Sequence, residues 1–212
     1  MIMKKLVFAI AALMTLGSLS LRAADSDVYD KIEKANAGKT NMQGHFDHAR
    51  LIKASGKTVK MEGILYYTAP DKLGMHYTAP KGDKLVINGR NVFIHNAQYA
   101  DGRLFDTKSN PIMAGLSGTL LNCIKGKVKQ VAADNAATPV LKDDGKNYVI
   151  TMTVDKKSSK GYSKIIVTYR KSDCVLVKMV TESDAGLVNT YTISDILTSV
   201  TNKPEVFAPR RG

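Results

Sequence analysis

Leu85-Val86-Ile87-Asn88-Gly89-Arg90-Asn91-Val92-Phe93-Ile94-His95 is a pair of short apolar runs separated by four polar residues or glycine. Asn and Gly tolerate positive φ, so an Asn-Gly step between apolar runs predicts an antiparallel hairpin. Working outward, Lys57 to Thr68 alternates in the same way. Val59, Met61, Leu65 and Tyr67 fall on one face, with Lys60 and Glu62 opposite. Lys72 to Thr78 places Leu73, Met75 and Tyr77 on one face. Such alternation marks half-buried strands. The pattern starts at Met42, extends to one more strand over 98–105, and returns late in the chain. There the alternating sets are Tyr148/Ile150/Met152/Val154, Ile165/Val167/Tyr169 and Val175/Val177/Met179, followed by Val188 to Ile196. Polar turns are expected at 156–161 and 171–173.

Two helical patterns interrupt the strands. Asp25 to Ala37 carries Val28, Ile32 and Ala35 at helical spacing, with Ser26 as an N-cap and Gly38 as a stop. Asn110 to Lys125 carries Ile112, Met113, Leu116, Leu120 and Ile124 along one face. Gly115 and Gly118 each cost this second helix roughly 1 kcal/mol relative to Ala, so it should be short or easily deformed. Lys125 to Gly145 reads as a polar connection. About ten strands at roughly ten-residue spacing require a sheet that curls or closes. The predicted fold is a single α+β domain on a curved antiparallel sheet.

The composition fits a soluble globular chain. Of 212 residues, 44% are hydrophobic and 24% charged, with 9 Tyr, 5 Phe and no Trp. Lys and Arg number 31 against 19 acids, a net charge of +12. Residues 1–23 read as a secretory signal peptide. Lys4 and Lys5 form a basic start, Leu6 to Leu21 an apolar core, and Ala23 and Ala24 supply small residues for cleavage near Ala23. No Cys lies near the cut for acylation. The expected mature chain, residues 24–212, is exported with a net charge of +9 after loss of Lys4, Lys5 and Arg22. In that compartment nucleic acid is excluded as a partner. The charge suits anionic lipid head groups or acidic partners, or serves solubility alone.

The sequence offers little chemistry. Gly38-Lys39-Thr40 and Gly56-Lys57-Thr58 end like phosphate-binding loops, but Glu33 and Leu51 stand where the earlier glycine is required. In His45-Phe46-Asp47-His48 a strand puts His45 and Asp47 on one face and His48 on the other, so no single ion meets all three. His76 and His95 read as ordinary strand residues. No catalytic, metal or cofactor site is expected, and the chain does not read as an enzyme. An oxidising compartment permits a disulfide between Cys123 and Cys174; two buried free thiols are the alternative. What remains is apolar: long side chains on alternating faces and a glycine-weakened amphipathic helix. That describes either a filled core or a cavity under a movable helix.

Gly63-Ile64-Leu65-Tyr66-Tyr67-Thr68-Ala69-Pro70-Asp71-Lys72-Leu73-Gly74-Met75-His76-Tyr77-Thr78-Ala79-Pro80, with the hairpin after it, resembles the strand core of the LolA-like family of outer-membrane lipoprotein carriers. The resemblance is clearest over residues 41–96. It implies a strongly curved antiparallel sheet forming an incomplete, half-open barrel covered by helices. It also implies a monomeric periplasmic carrier that shelters lipoprotein acyl chains, taking cargo from an inner-membrane ABC transporter to an outer-membrane acceptor. On that reading Leu65, Tyr67, Leu73, Met75, Tyr77 and Phe93 line the acyl-chain cavity, and Ile112, Met113, Leu116 and Leu120 form the lid. The chain departs from the family where Arg is common, having Ala69 before the first Pro and Gly74 in the next strand. Met75 replaces a Trp and His95 a Tyr or Trp. Ala69 offers no side-chain donor, so an Arg-latched lid is not implied. Another amphiphile, such as a glycolipid or lipopolysaccharide fragment, is the alternative cargo; a ligand-free interaction protein is the third reading.

Overall fold

The computed structural model describes residues 25–155 and 161–209. The expected leader, residues 1–23, lies outside them, as does most of the polar turn at 156–161. Helix α1 runs over 25–37. The strands β1 (Asn41–Ile52), β2 (Lys57–Thr68), β3 (Lys72–Ala79), β4 (Lys84–Asn88), β5 (Asn91–Asn96) and β6 (Tyr99–Asp106) follow. Helices α2 (Pro111–Ile124) and α3 (Val128–Asp134) come next. The strands β7 (Ala137–Asp143), β8 (Asn147–Val154), β9 (Tyr162–Arg170), β10 (Leu176–Ser183) and β11 (Leu187–Leu197) complete the sheet, and a 3-10 turn spans Pro204–Phe207.

All eleven strands belong to one antiparallel sheet, ordered β6-β5-β4-β3-β2-β1-β11-β10-β9-β8-β7. The chain meanders outward from β1 to β6, crosses through α2 and α3, and meanders back until β11 pairs with β1. β6 and β7 are left as the two free edges, so the sheet does not close into a barrel. It nevertheless encloses one core: Leu73, Ile87 and Val92 from one arm share an apolar cluster with Ile150, Ile165 and Tyr169 from the other. Ile32 of α1 and Leu120, Leu121 and Ile124 of α2 complete that cluster. The Tyr169 hydroxyl donates to the Cys123 carbonyl at 2.7 Å, fixing the end of α2 to β9.

The predicted hairpin is present with its turn one residue later than the Asn-Gly step implies. Asn88 pairs with Asn91, so the loop is Gly89-Arg90, and Gly89 takes φ +59. Positive φ at the first loop residue alone is the geometry of a type II′ turn. The stretch read as a polar connection, 125–145, instead holds α3 and β7. Pro139 fits there because β7 is an edge strand, where a missing N–H interrupts no ladder on the open side.

Gly63 is dictated by packing. A Cβ there would lie 2.2 Å from the His76 carbonyl oxygen and 2.8 Å from Cζ of Phe46. The Phe46 ring lies across β2 in that space. Cys123 and Cys174 are both free and buried. Cys123 sits in the core at the end of α2. Cys174 occupies the β9–β10 turn, its N–H donating to Arg170 O at 2.7 Å and its carbonyl accepting from Asn36 at 2.7 Å.

Candidate functional site

The sheet has two covered faces. On β1 the inward set is Met42, Gly44, Phe46 and His48, all buried. Cross-strand pairing carries that face to Leu65 and Tyr67 on β2 and to Leu73 and Met75 on β3. Over this face lies α2, opened by Asn110, whose side chain accepts from Met113 N at 3.1 Å, and by Pro111 in the first turn. Between sheet and helix is an apolar gap of about 20 Å³, bounded by Phe46, Leu65, Leu73, Met75, Leu120 and Met179 among others. That volume is about one water molecule's worth. The inner face is therefore closed by side-chain contact between α2 and the sheet.

Five of the six predicted cavity residues gather here. Leu65, Tyr67, Leu73 and Met75 are buried in the main cluster and Tyr77 packs at its margin. Phe93 does not join them. It lies on the opposite face in a separate cluster with Val86 and Phe207, flanked by Tyr66 and Val206. Its ring covers Gly102, where a Cβ would come within 2.5 Å of Phe93 Cζ. The inward residue of β5 is Val92.

The lid assignment is also uneven. Leu120 is buried and Leu116 and Met113 pack partly against the core. Ile112 is 69% exposed and borders a groove of about 620 Å³ on the far side of α2. The helix is thus anchored by its C-terminal half and lightly held at its start.

The outer face is covered by the C-terminal segment. Asn202 Nδ2 donates to Tyr67 O at 2.7 Å and to Thr68 Oγ1 at 3.1 Å. His76 Nε2 donates to Val206 O at 2.8 Å. A Cβ on Gly74 would come within 2.8 Å of that same Val206 carbonyl. Gly74, where the resemblance leads one to expect Arg, thus faces away from α2 and lets the C-terminal strap lie flat.

A polar rim closes one end of the interior. His48 is 1% exposed; its Nδ1 lies 3.0 Å from the Tyr77 hydroxyl and its Nε2 3.0 Å from Asn189 Oδ1. Arg50 Nε donates to the same Asn189 oxygen at 3.2 Å. Because Asn189 Oδ1 only accepts, the network assigns the proton of neutral His48 to Nε2, and Tyr77 donates to Nδ1. The His48 ring stacks on Tyr191 at 4.2 Å, and Phe46 meets Tyr77 edge-on at 5.0 Å. Burial, with Arg50 nearby, pushes the His48 pKa down to about 4. Burial also raises the Tyr77 hydroxyl well above its ordinary range.

Beside this rim is a cavity of about 410 Å³ that Arg50, Tyr77, Lys84, Leu116, Asn189 and Tyr191 help to line. Sequence reading missed it because Arg50 and Asn189 stand 139 positions apart. On the outer face His45 Nε2 lies 3.9 Å from Asp47 Oδ1, and Glu62, paired with Asp47 across β1–β2, joins them within 4.8 Å. His48 turns to the other face as expected. The three form a solvent-facing His–carboxylate cluster rather than an enclosed centre.

The sequence matches the family described as "Outer membrane lipoprotein carrier protein LolA" over residues 38–210. Comparison with curated proteins finds no match. Among solved structures, an uncharacterized conserved protein from Thermus thermophilus aligns with TM-score 0.50 at 10% identity, covering 86% of this chain and 92% of that one. The Pseudomonas aeruginosa MucA/MucB complex gives TM-score 0.50 at 14% identity, covering 86% of this chain and 60% of that one. A LolA superfamily protein from Nitrosomonas europaea gives 0.43 at 10% identity, with 86% and 96% covered.

Proposed function

The chain belongs to the LolA family of outer membrane lipoprotein carriers, and we propose that it is a periplasmic carrier whose inner face shelters acyl chains beneath α2. The observation that carries this reading is the seam between α2 and the sheet. It is apolar on both sides, and the lightly held start of α2 leaves it separable. Each CH₂ withdrawn from water contributes about 0.8 kcal/mol, so a chain laid along Leu65, Leu73 and Met75 offsets the loss of the Leu120 contacts. Release is built in as well, since closing α2 restores those contacts and drives the chain out.

In this reading the leader is removed near Ala23 and residues 24–212 work as one monomeric domain. Cargo is collected from an inner-membrane ABC transporter and delivered to an outer-membrane acceptor. The role is binding, with no catalytic step. A second cargo class, a free amphiphile, is favoured by two particular residues: Ala69 has no side-chain donor for a lid, and Gly74 is turned away under Val206.

Lipoprotein release from inner-membrane vesicles tests the proposal. The purified mature chain should leave the vesicles with a lipidated polypeptide attached, seen by native mass spectrometry. Leu116→Asp should abolish uptake while leaving the chain folded, because Leu116 is only partly buried. Undiminished uptake by that variant would remove α2 from the role of lid. Uptake of free lipid but of no lipoprotein would select the second cargo class.

A further inference from the structure

We propose that the cavity at the rim is a head-group site, holding the anionic group of an amphiphile whose chain runs beneath α2 into the interior. The inference rests on the reading above of the inner face as an acyl-chain shelter, takes up its second cargo class, and adds a direction and a charge to that cargo.

Three observations meet here. First, the rim cavity of about 410 Å³ and the apolar gap share Tyr191 as a wall. Leu116 of α2 lies on the rim side and Leu120 on the inner side, so lifting α2 joins the two spaces into one channel. Second, polarity is graded along that channel. Arg50 is at the solvent end, then come Asn189, His48 and Tyr77, then Phe46, Met179 and Ile193. An amphiphile has the same gradient and fits in one orientation only. Third, Arg50 is fixed without being neutralised. Its Nε is held by Asn189 at 3.2 Å, and among the described residues its guanidinium forms no ion pair. Among the residues that line the cavity Asp83 is the one carboxylate. A guanidinium that keeps its outer N–H groups available suits a carboxylate or phosphate, to which it donates in parallel.

Desolvation explains why the anion should stay at the rim. An unpaired charge drawn into the apolar gap would cost far more than the chain contributes, so the head group stops where Arg50 meets it. The acylated terminus of a lipoprotein has no anion beside its chains, so this site sorts the two cargo classes in favour of a free anionic amphiphile.

Fluorescence titration of the full mature chain with cis-parinaric acid and with its methyl ester at pH 7.5 tests the site, since the two probes share a chain and differ in charge. The wild-type protein should bind the acid about tenfold more tightly than the ester, as expected for one charge-assisted contact. Arg50→Gln should erase that preference, with acid affinity falling to that of the ester, and Arg50→Lys should keep most of it. Displacement of the bound acid by 1-palmitoyl lysophosphatidic acid at about tenfold lower concentration than by 1-palmitoylglycerol would extend the site to phosphate. An acid preference identical in wild type and Arg50→Gln would overturn the head-group site while the interior reading stands. Binding of neither probe to the wild-type chain would overturn both.

Discussion

The two faces of the β1–β5 arm are both covered, one by a helix and the other by a strap, and the covers differ in what holds them. The outer cover is short and polar in its attachments. Asn202, His76 and Asn88 tie it to backbone or side-chain groups of the sheet, and Phe207 plugs a small pocket beside Val86 and Phe93. Directional bonds of this kind are lost together when the strap leaves, with no replacement until water enters. The inner cover, α2, has one directional tie, from Tyr169 to the Cys123 carbonyl at its end, and otherwise touches the sheet through Leu120, Leu121 and Ile124, which are non-directional contacts that another apolar surface can replace. In the proposed carrier the strap is thus the permanent lining and α2 the exchangeable one, which faces the larger apolar surface.

The sharpest way to break this contrast is to damage the outer cover alone. Phe207→Ala removes a buried ring and should cost about 3–5 kcal/mol, read as a lower urea midpoint, with Phe207→Leu intermediate. If the strap is only a lining, affinity for an apolar probe should be unchanged in whichever variant remains folded. A fall in probe affinity that tracks the fall in stability would mean the strap belongs to the binding site.

Acid sensitivity separates the faces next. Each has a withdrawn histidine: His48 inside, bonded through both nitrogens, and His76 outside, bonded through Nε2. Burial lowers both pKa values, that of His48 to about 4. An unfolded histidine titrates near 6.5, so between those two pH values the unfolded chain binds a proton that the folded chain refuses. Stability from this source is complete above about pH 6.5 and declines as pH falls, by on the order of 3 kcal/mol at about pH 4. Urea midpoints at pH 7.5 and 4.5 should therefore differ less in His48→Gln than in wild type. Parallel pH curves for the two proteins would show that the rim network does not carry this acid sensitivity.

What the sequence disclosed follows the same division. Leu73 and Met75 alternate with Lys72, Gly74 and His76, so their shared face is legible from residue order alone. That of Phe93 is not, because Val92-Phe93-Ile94 is apolar throughout and marks no face. The choice is made by partners outside the strand, Gly102 on the neighbouring β6 and Phe207, far along the chain in the strap. Likewise α2 is visible from Met113, Leu116 and Leu120, but Ile112 shares their sequence periodicity and is nonetheless 69% exposed. α3 and β7 are hidden in an Ala- and Asp-rich stretch whose local composition resembles a loop; Val128, Val131 and Ala132 become helical only through burial against the core. The rim escapes notice because Arg50, Tyr77 and Asn189 come from three strands whose adjacency is a consequence of β11 returning to β1.

The smallest predicted effect probes the mobility of the inner cover itself. Gly118 lies in the middle of α2, and a Cβ built there meets no atom within 4 Å. Nor does its backbone need a positive φ. Gly118→Ala therefore adds no clash, and by restricting the unfolded chain and favouring helix it should stabilise the protein by about 0.5–1 kcal/mol. The same substitution stiffens α2 between its free start and its anchored end. If the helix bends at this point to admit a chain, parinarate loading measured by stopped-flow should slow several-fold although Tm rises. If α2 instead lifts as a rigid rod, stability will increase and the loading rate will stay as it was. The two results distinguish a hinged cover from a sliding one, because a residue that touches nothing can change the rate only through the helix that contains it.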